Sequence, residues 1–199
     1  MPSIYAVDGE FSRATLLTRG AATVVAASAF GGLASRASAA VPDGDLAYAR
    51  LLVALELLSL DFYARAIGAG GGSQLELRRA RAAERRHYDV VAAILTNAGQ
   101  VPATGQDIDF SYPRGSFASR TAICRLGVRL ESLSLGAYLG AVGSLQTPLY
   151  RDHAARAAAS EAQHLSVFAG EVGGRRVGPP LPAALPLARV SDALDAFTS

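Results

Sequence analysis

Lysine is missing from the chain: all 19 basic residues among its 199 are arginine, a bias of GC-rich coding that carries no functional message. Tryptophan is missing too, and aromatic residues make up only 7% of a composition that is 50% hydrophobic and rich in Ala and Leu. Side chains of that kind suit closely packed helices better than a sheet, so the expected class is all-α. A single cysteine, Cys124, excludes an intrachain disulfide, a CxxC pair and a cysteine-based zinc site, and reads as a small core residue. Net charge is only +2, which argues against a nucleic-acid partner. The densest basic stretch, RRARAAERRH from Arg78 to His87, spreads its arginines around much of a helix and reads as a solvated face. Long apolar runs are lacking as well. The stretch AATVVAASAFGGL falls short of the roughly 20 residues that a bilayer crossing takes.

What is present at the N-terminus has the order of an export signal. Arg13 and Arg19 precede that mild apolar stretch, and Ala37-Ser38-Ala39 supplies a small-residue cleavage site, so residues 1–40 are expected to direct the chain to export machinery. The mature protein would then begin near Ala40 and reside in the periplasm or cell envelope, or be secreted. SRATLL, from Ser12 to Leu17, is similar to a twin-arginine signal except that Ala14 stands where the second Arg belongs. The twin-arginine route and ordinary secretion both stay open.

The remainder divides into residues 41–175, which carry four helical segments, and a Pro-rich tail, 176–199. Helix one is expected from Asp45 to Ile67, capped by Asp43 or Asp45 and stopped by the Gly run from Gly68. Helix two follows the capping-box pair Ser73 and Glu76 and ends at Asn97 and Gly99. Residues 100–116, with two Pro and two Gly, read as a crossover. Helix three is expected from Phe117 to Gly143, and helix four from the cap Thr147 and first-turn Pro148 to Glu171. The tail should wrap in extended form and finish in a short amphipathic helix from Ser191 to Phe197.

Within this pattern the chain writes nearly the same nine residues twice, LELLSLDFY at Leu55–Tyr63 and LESLSLGAY at Leu130–Tyr138. Each copy sets one glutamate, Glu56 or Glu131, in an apolar run; Glu56 is flanked by Leu55, Leu57 and Leu58, and its same-face neighbours are Leu52, Val53, Ser59 and Leu60. In antiparallel hairpins, residues equidistant from the turn stand at equal height. Glu56 and Glu84 differ by about 1.5 Å on this count, and Glu131 and Glu161 match as closely. His87 follows Glu84 by three residues and His164 follows Glu161 by three, so each pair shares a helix face and can chelate one ion. Four buried carboxylates left unpaired would cost many kcal/mol, and two divalent cations would cancel their charge. A dinuclear metal site made of Glu56, Glu84, His87, Glu131, Glu161 and His164 is therefore expected.

One Glu from each of two helices and Glu-x-x-His from the other two is an arrangement that resembles the ferritin-like superfamily of di-metal carboxylate proteins, in the bacterioferritin and rubrerythrin manner. The chain looks most like exported bacterial ferritin-like domain proteins. The resemblance covers Asp45 to Gly173 and implies an antiparallel bundle of two hairpins joined by a long crossover. It further implies two iron or manganese ions, with Glu56 and Glu131 as terminal ligands, Glu84 and Glu161 as bridges, and His87 and His164 as nitrogen ligands. Oxygen or peroxide would be the reaction partner, in ferroxidase-like or peroxidase-like oxidoreductase work; a non-enzymatic envelope or stress-related metal-binding or scaffold protein is the alternative. No haem is expected, because Arg85 stands where bacterioferritin has its Met ligand and Met1 is the only methionine. The single cysteine rules out rubrerythrin's second iron module. Association into a homo-oligomer stays open.

Tyr63 and Tyr138 lie two turns beyond Glu56 and Glu131 on the same stripe, and Ser59 and Ser134 one turn beyond. Each is a candidate hydrogen-bond donor to the carboxylates, and the phenols are candidates for redox work; core filling is the competing reading for both tyrosines.

Overall fold

An apolar stretch with no polar face makes the innermost element of the structure. Every residue from Leu51 to Leu60 is buried, as a helix that is hydrophobic all round must be. It belongs to α1 (Asp43–Gly68), the first of four long helices, followed by α2 (Gln74–Asn97), α3 (Arg120–Ser144) and α4 (Pro148–Glu171), with a short α5 (Leu187–Leu194) running into a 3-10 turn at Asp195–Phe197. The computed structural model describes residues 40–173, 176–178 and 182–198. The expected export segment before Ala40 and part of the Pro-rich tail lie outside the described residues.

The fold is an all-α, four-helix bundle. Helix α1 packs on α2 and α3 packs on α4; α1 meets α3, α2 meets α4, and α5 lies against both α1 and α3. Helix α2 turns Arg78, Arg79, Arg81, Arg85 and Arg86 to solvent and buries a narrow strip that includes Leu77, Ala80, Glu84, Val91 and Leu95. Among the described residues no helix is long and apolar enough to cross a membrane.

Most helix starts differ from expectation in position or in cap; at α4, Thr147 precedes Pro148 as expected but its side chain makes no cap hydrogen bond. Helix α1 begins at Asp43, after Pro42, and neither Asp43 nor Asp45 caps it. Asp45 is buried and instead accepts the backbone amides of Gln146 (2.7 Å) and Thr147 (2.9 Å), so the first turn of α1 fixes the turn that leads into α4. Ser73 does occupy the position before α2, yet its side chain makes no cap hydrogen bond, so the capping box is not formed. Helix α3 starts at Arg120 rather than Phe117. Pro113 and Gly115 (φ +82°) hold consecutive turns through residues 114–117, and the helix begins only where the Ser119 hydroxyl accepts the amide of Ala122 at 3.1 Å. Phe117 serves packing, with its ring against Phe62 and Tyr112.

The crossover is strapped along α1: the Tyr112 hydroxyl donates to Asp61 Oδ2 at 2.9 Å and Arg50 Nε to Gln100 Oε1 at 3.1 Å. The tail closes over the same side. Val190, Leu194 and Phe197 are buried, Ser111 N donates to Phe197 O at 2.8 Å, and Leu185 N donates to Gly136 O at 2.8 Å. That approach needs glycine in α3, since a Cβ on Gly140 would stand 1.9 Å from Leu185 O. The terminal helix thus starts at Leu187, four residues earlier than expected, because Pro186 sits just before it and the preceding segment is already fixed on α3.

Candidate metal centre

Each long helix contributes one glutamate to the middle of the bundle, and all four are buried: Glu56 and Glu131 are 1% exposed, Glu84 and Glu161 0%. His87 and His164, three residues after the glutamates of α2 and α4, turn Nδ1 toward the same place. The structure brings these six side chains into two overlapping groups. Glu56, Glu84, His87 and Glu161 form one, and Glu84, Glu131, Glu161 and His164 the other; in each, one potential ligand atom per residue lies within 4.8 Å of the rest. Glu84 and Glu161 belong to both groups.

The halves repeat each other closely. His87 Nδ1 lies 2.9 Å from Glu161 Oε1, 3.4 Å from Glu84 Oε2 and 3.9 Å from Glu56 Oε1. His164 Nδ1 lies 2.9 Å from Glu84 Oε1, 3.4 Å from Glu161 Oε2 and 3.6 Å from Glu131 Oε2. The tyrosines are crossed between helices: Tyr63 on α1 donates to Glu131 Oε1 on α3, and Tyr138 on α3 donates to Glu56 Oε1 on α1. Tyr63 also packs edge-on against His164, and Tyr138 against His87, with ring centroids 6.2 and 6.0 Å apart. Both tyrosines are therefore hydrogen-bonded to the cluster, although neither reaches the glutamate of its own helix. That crossing depends on the register between α1 and α3, which one helix's periodicity cannot reveal.

Among the described residues, the second oxygens of the α1 and α3 glutamates, both oxygens of Glu84 and of Glu161, and Nδ1 of both imidazoles have no hydrogen-bond partner although they are buried. The 2.9 Å imidazole–carboxylate approaches lack the alignment of a ring N–H donor. Ser59 and Ser134 are buried, 3% and 1% exposed, but among the described residues the hydroxyls bonded to these carboxylates are the tyrosines'. Cys124, 1% exposed, lines a cavity beside Tyr63 and His164.

In this arrangement protons do part of a cation's work. Burial, followed by the charges of Glu84 and Glu161, pushes the Glu56 carboxyl well above the usual range. Burial also raises Glu161, against the opposing pull of His164 and His87. For the imidazoles burial acts downward, but Glu161 and Glu84 outweigh it and hold His87 up at about 9, while Glu131, Glu161 and Glu84 hold His164 up at about 12. Burial and the nearby carboxylates raise both phenols, keeping Tyr63 and Tyr138 protonated as donors.

A cluster of unpartnered carboxylate oxygens and imidazole nitrogens, shared between two overlapping halves, has the donor set of a hard or borderline divalent metal pair. The family model described as a ferritin-like domain matches residues 44–173. The chain belongs to the ferritin-like family. A search of curated proteins returns no match for this ferritin-like chain. The match runs from the start of α1 to just beyond α4, so it takes in all six cluster residues and both tyrosines.

Proposed function

We propose that this ferritin-like protein holds two divalent metal ions, iron or manganese, at the six-residue cluster, and uses them to oxidise ferrous iron or reduce oxygen or peroxide outside the cytoplasm. The observation that carries this reading is the set of buried oxygens and nitrogens that, among the described residues, have no hydrogen-bond partner. Leaving such groups bare costs about 1–3 kcal/mol each, more when charged, and two dications would satisfy all of them together. Glu84 and Glu161, common to both groups, would bridge the ions. Glu56 with His87 would complete one site and Glu131 with His164 the other. Tyr138 and Tyr63 hold one oxygen of each terminal carboxylate, which fixes the rotamer and leaves the second oxygen for metal.

Bound iron or manganese would supply one-electron redox steps and open positions for an oxidant. The enclosed α1 and the tail over the α1–α3 side keep water from the back of the site. The two imidazoles, with side chains 14% and 12% exposed, are the least buried of the six ligands, so an oxidant would approach from the α2–α4 face. The extracytoplasmic location rests on Arg13, Arg19 and the Ala37-Ser38-Ala39 signature. N-terminal sequencing of the exported protein should begin near Ala40, and a mature chain starting at Met1 would contradict cleavage.

Turnover is tested by loading the protein anaerobically with ferrous iron or manganese and following oxygen and peroxide consumption. The loaded protein should consume oxidant well above free metal, and Glu161→Ala should abolish the excess. Stoichiometric metal without any excess consumption would leave a metal-binding scaffold and end the enzymatic reading.

A further inference from the structure

The cluster is symmetric but its surroundings are not. Two cavities flank it on the α2–α4 side. One of about 330 Å³ adjoins Tyr63 and His164, and one of about 190 Å³ adjoins Tyr138 and His87. Counting from each glutamate or histidine to its copy in the repeat, Ser73 corresponds to Tyr150 and Gly70 to Leu145. Tyr150 and Leu145 line the smaller cavity, whereas Ser73 and the glycine turn Gly71-Gly72 leave the larger one wide.

The larger cavity is walled by Leu77, Ala80, Ala83, Val167 and Phe168. Oxygen or peroxide needs a space of the order of one water molecule, about 30 Å³. A volume near 330 Å³ falls instead at the lower end of small-molecule ligand pockets, roughly 300–1,000 Å³. The charges at its mouth balance: Glu76 and Arg79 have opposite signs, and Glu171 is paired with Arg120. Building on the metal-site reading, we propose that this cavity binds an uncharged organic molecule with an apolar body, held against the His164 half of the cluster. The oxidant would share the centre with an organic ligand on that side only.

Prodan, an uncharged apolar fluorophore, tests the cavity in the metal-free full chain, with octanol as competitor and metal content measured separately on loaded protein. Prodan should bind once per chain and be displaced by octanol. Ser73→Tyr, an exposed change that copies Tyr150, and Ala80→Leu, which fills the cavity, should each weaken binding about tenfold or more. Ala157→Leu, which fills the opposite cavity, should leave it unchanged. Circular dichroism and melting of each variant establish folding, and Ser73→Tyr, whose side chain makes no cap bond in the native chain, keeps the test open if Ala80→Leu does not fold. No prodan binding, undiminished binding in Ser73→Tyr, or an equal loss in Ala157→Leu would overturn the proposal. Metal uptake without prodan binding would overturn it while sparing the metal centre, and prodan binding without metal uptake would do the reverse.

Discussion

Glu84 and Glu161 differ from the other two glutamates in belonging to both ligand groups. Substituting a shared ligand damages both sites, whereas substituting Glu56 or Glu131 removes a donor from one. Glu84→Ala and Glu161→Ala should therefore reduce bound metal toward zero, while Glu131→Ala should retain about one ion per chain, as read by elemental analysis. Tyr63→Phe leaves Glu131 Oε1 without its donor and the carboxylate free to swing. Metal affinity should fall about tenfold or more, measured by competition with a chelator. The two glutamates of the repeat could be singled out from sequence because a carboxylate flanked by Leu at Leu55, Leu57 and Leu58 cannot reach water. The tyrosine crossing could not, because α1 periodicity aligns Tyr63 with Glu56 and says nothing about the helix it faces.

At the scale of elements, glycine and proline were legible and polar caps were not. Gly68 and Pro148 mark ends that follow from backbone chemistry alone, and α4 runs from Pro148 to Glu171 as its sequence implies. Asp45 has the local signature of a cap for its own helix, yet it binds amides a hundred residues further along, a choice only packing can make. Burial tends to raise its carboxyl, but the hydroxyl of Thr147, the amides of Gln146 and Thr147 and the charge of Arg151 outweigh that and lower it below the ordinary value of 3.8. A depressed native value means that this stabilisation is complete above the unfolded value, about 3.9, and is lost as pH falls through the native one. Asp45→Ala should cost about 1–2 kcal/mol near neutrality. That corresponds to a melting drop of roughly 2–8 °C, and the gap from wild type should narrow as the melts are repeated at pH values below about 4. A gap that widened in acid would contradict the assignment.

For the whole molecule, the metal-free centre is a local debt: like charges and unpartnered oxygens are held in place by the packing of four helices. Removing one such carboxylate should relieve strain, so metal-free Glu131→Leu is expected to melt above the metal-free wild type. Filling the centre should stabilise the bundle as a unit, since all four helices contribute ligands. A metal at a hundred times its dissociation constant adds about 2.7 kcal/mol, or roughly 5–10 °C for a chain of this size. The bundle and its long crossover could be inferred from helix-period patterns, whereas the position of the tail could not, because it depends on Gly140 admitting the Leu185 carbonyl. The central claim is that six buried residues hold two ions, and its most direct measurement is the metal content of folded protein after anaerobic loading with ferrous iron and, separately, with manganese. Two ions per chain for at least one of these metals, falling toward none in Glu84→Ala and Glu161→Ala, is the predicted result. Less than about one ion per chain with both metals, or full loading in those variants, would contradict it.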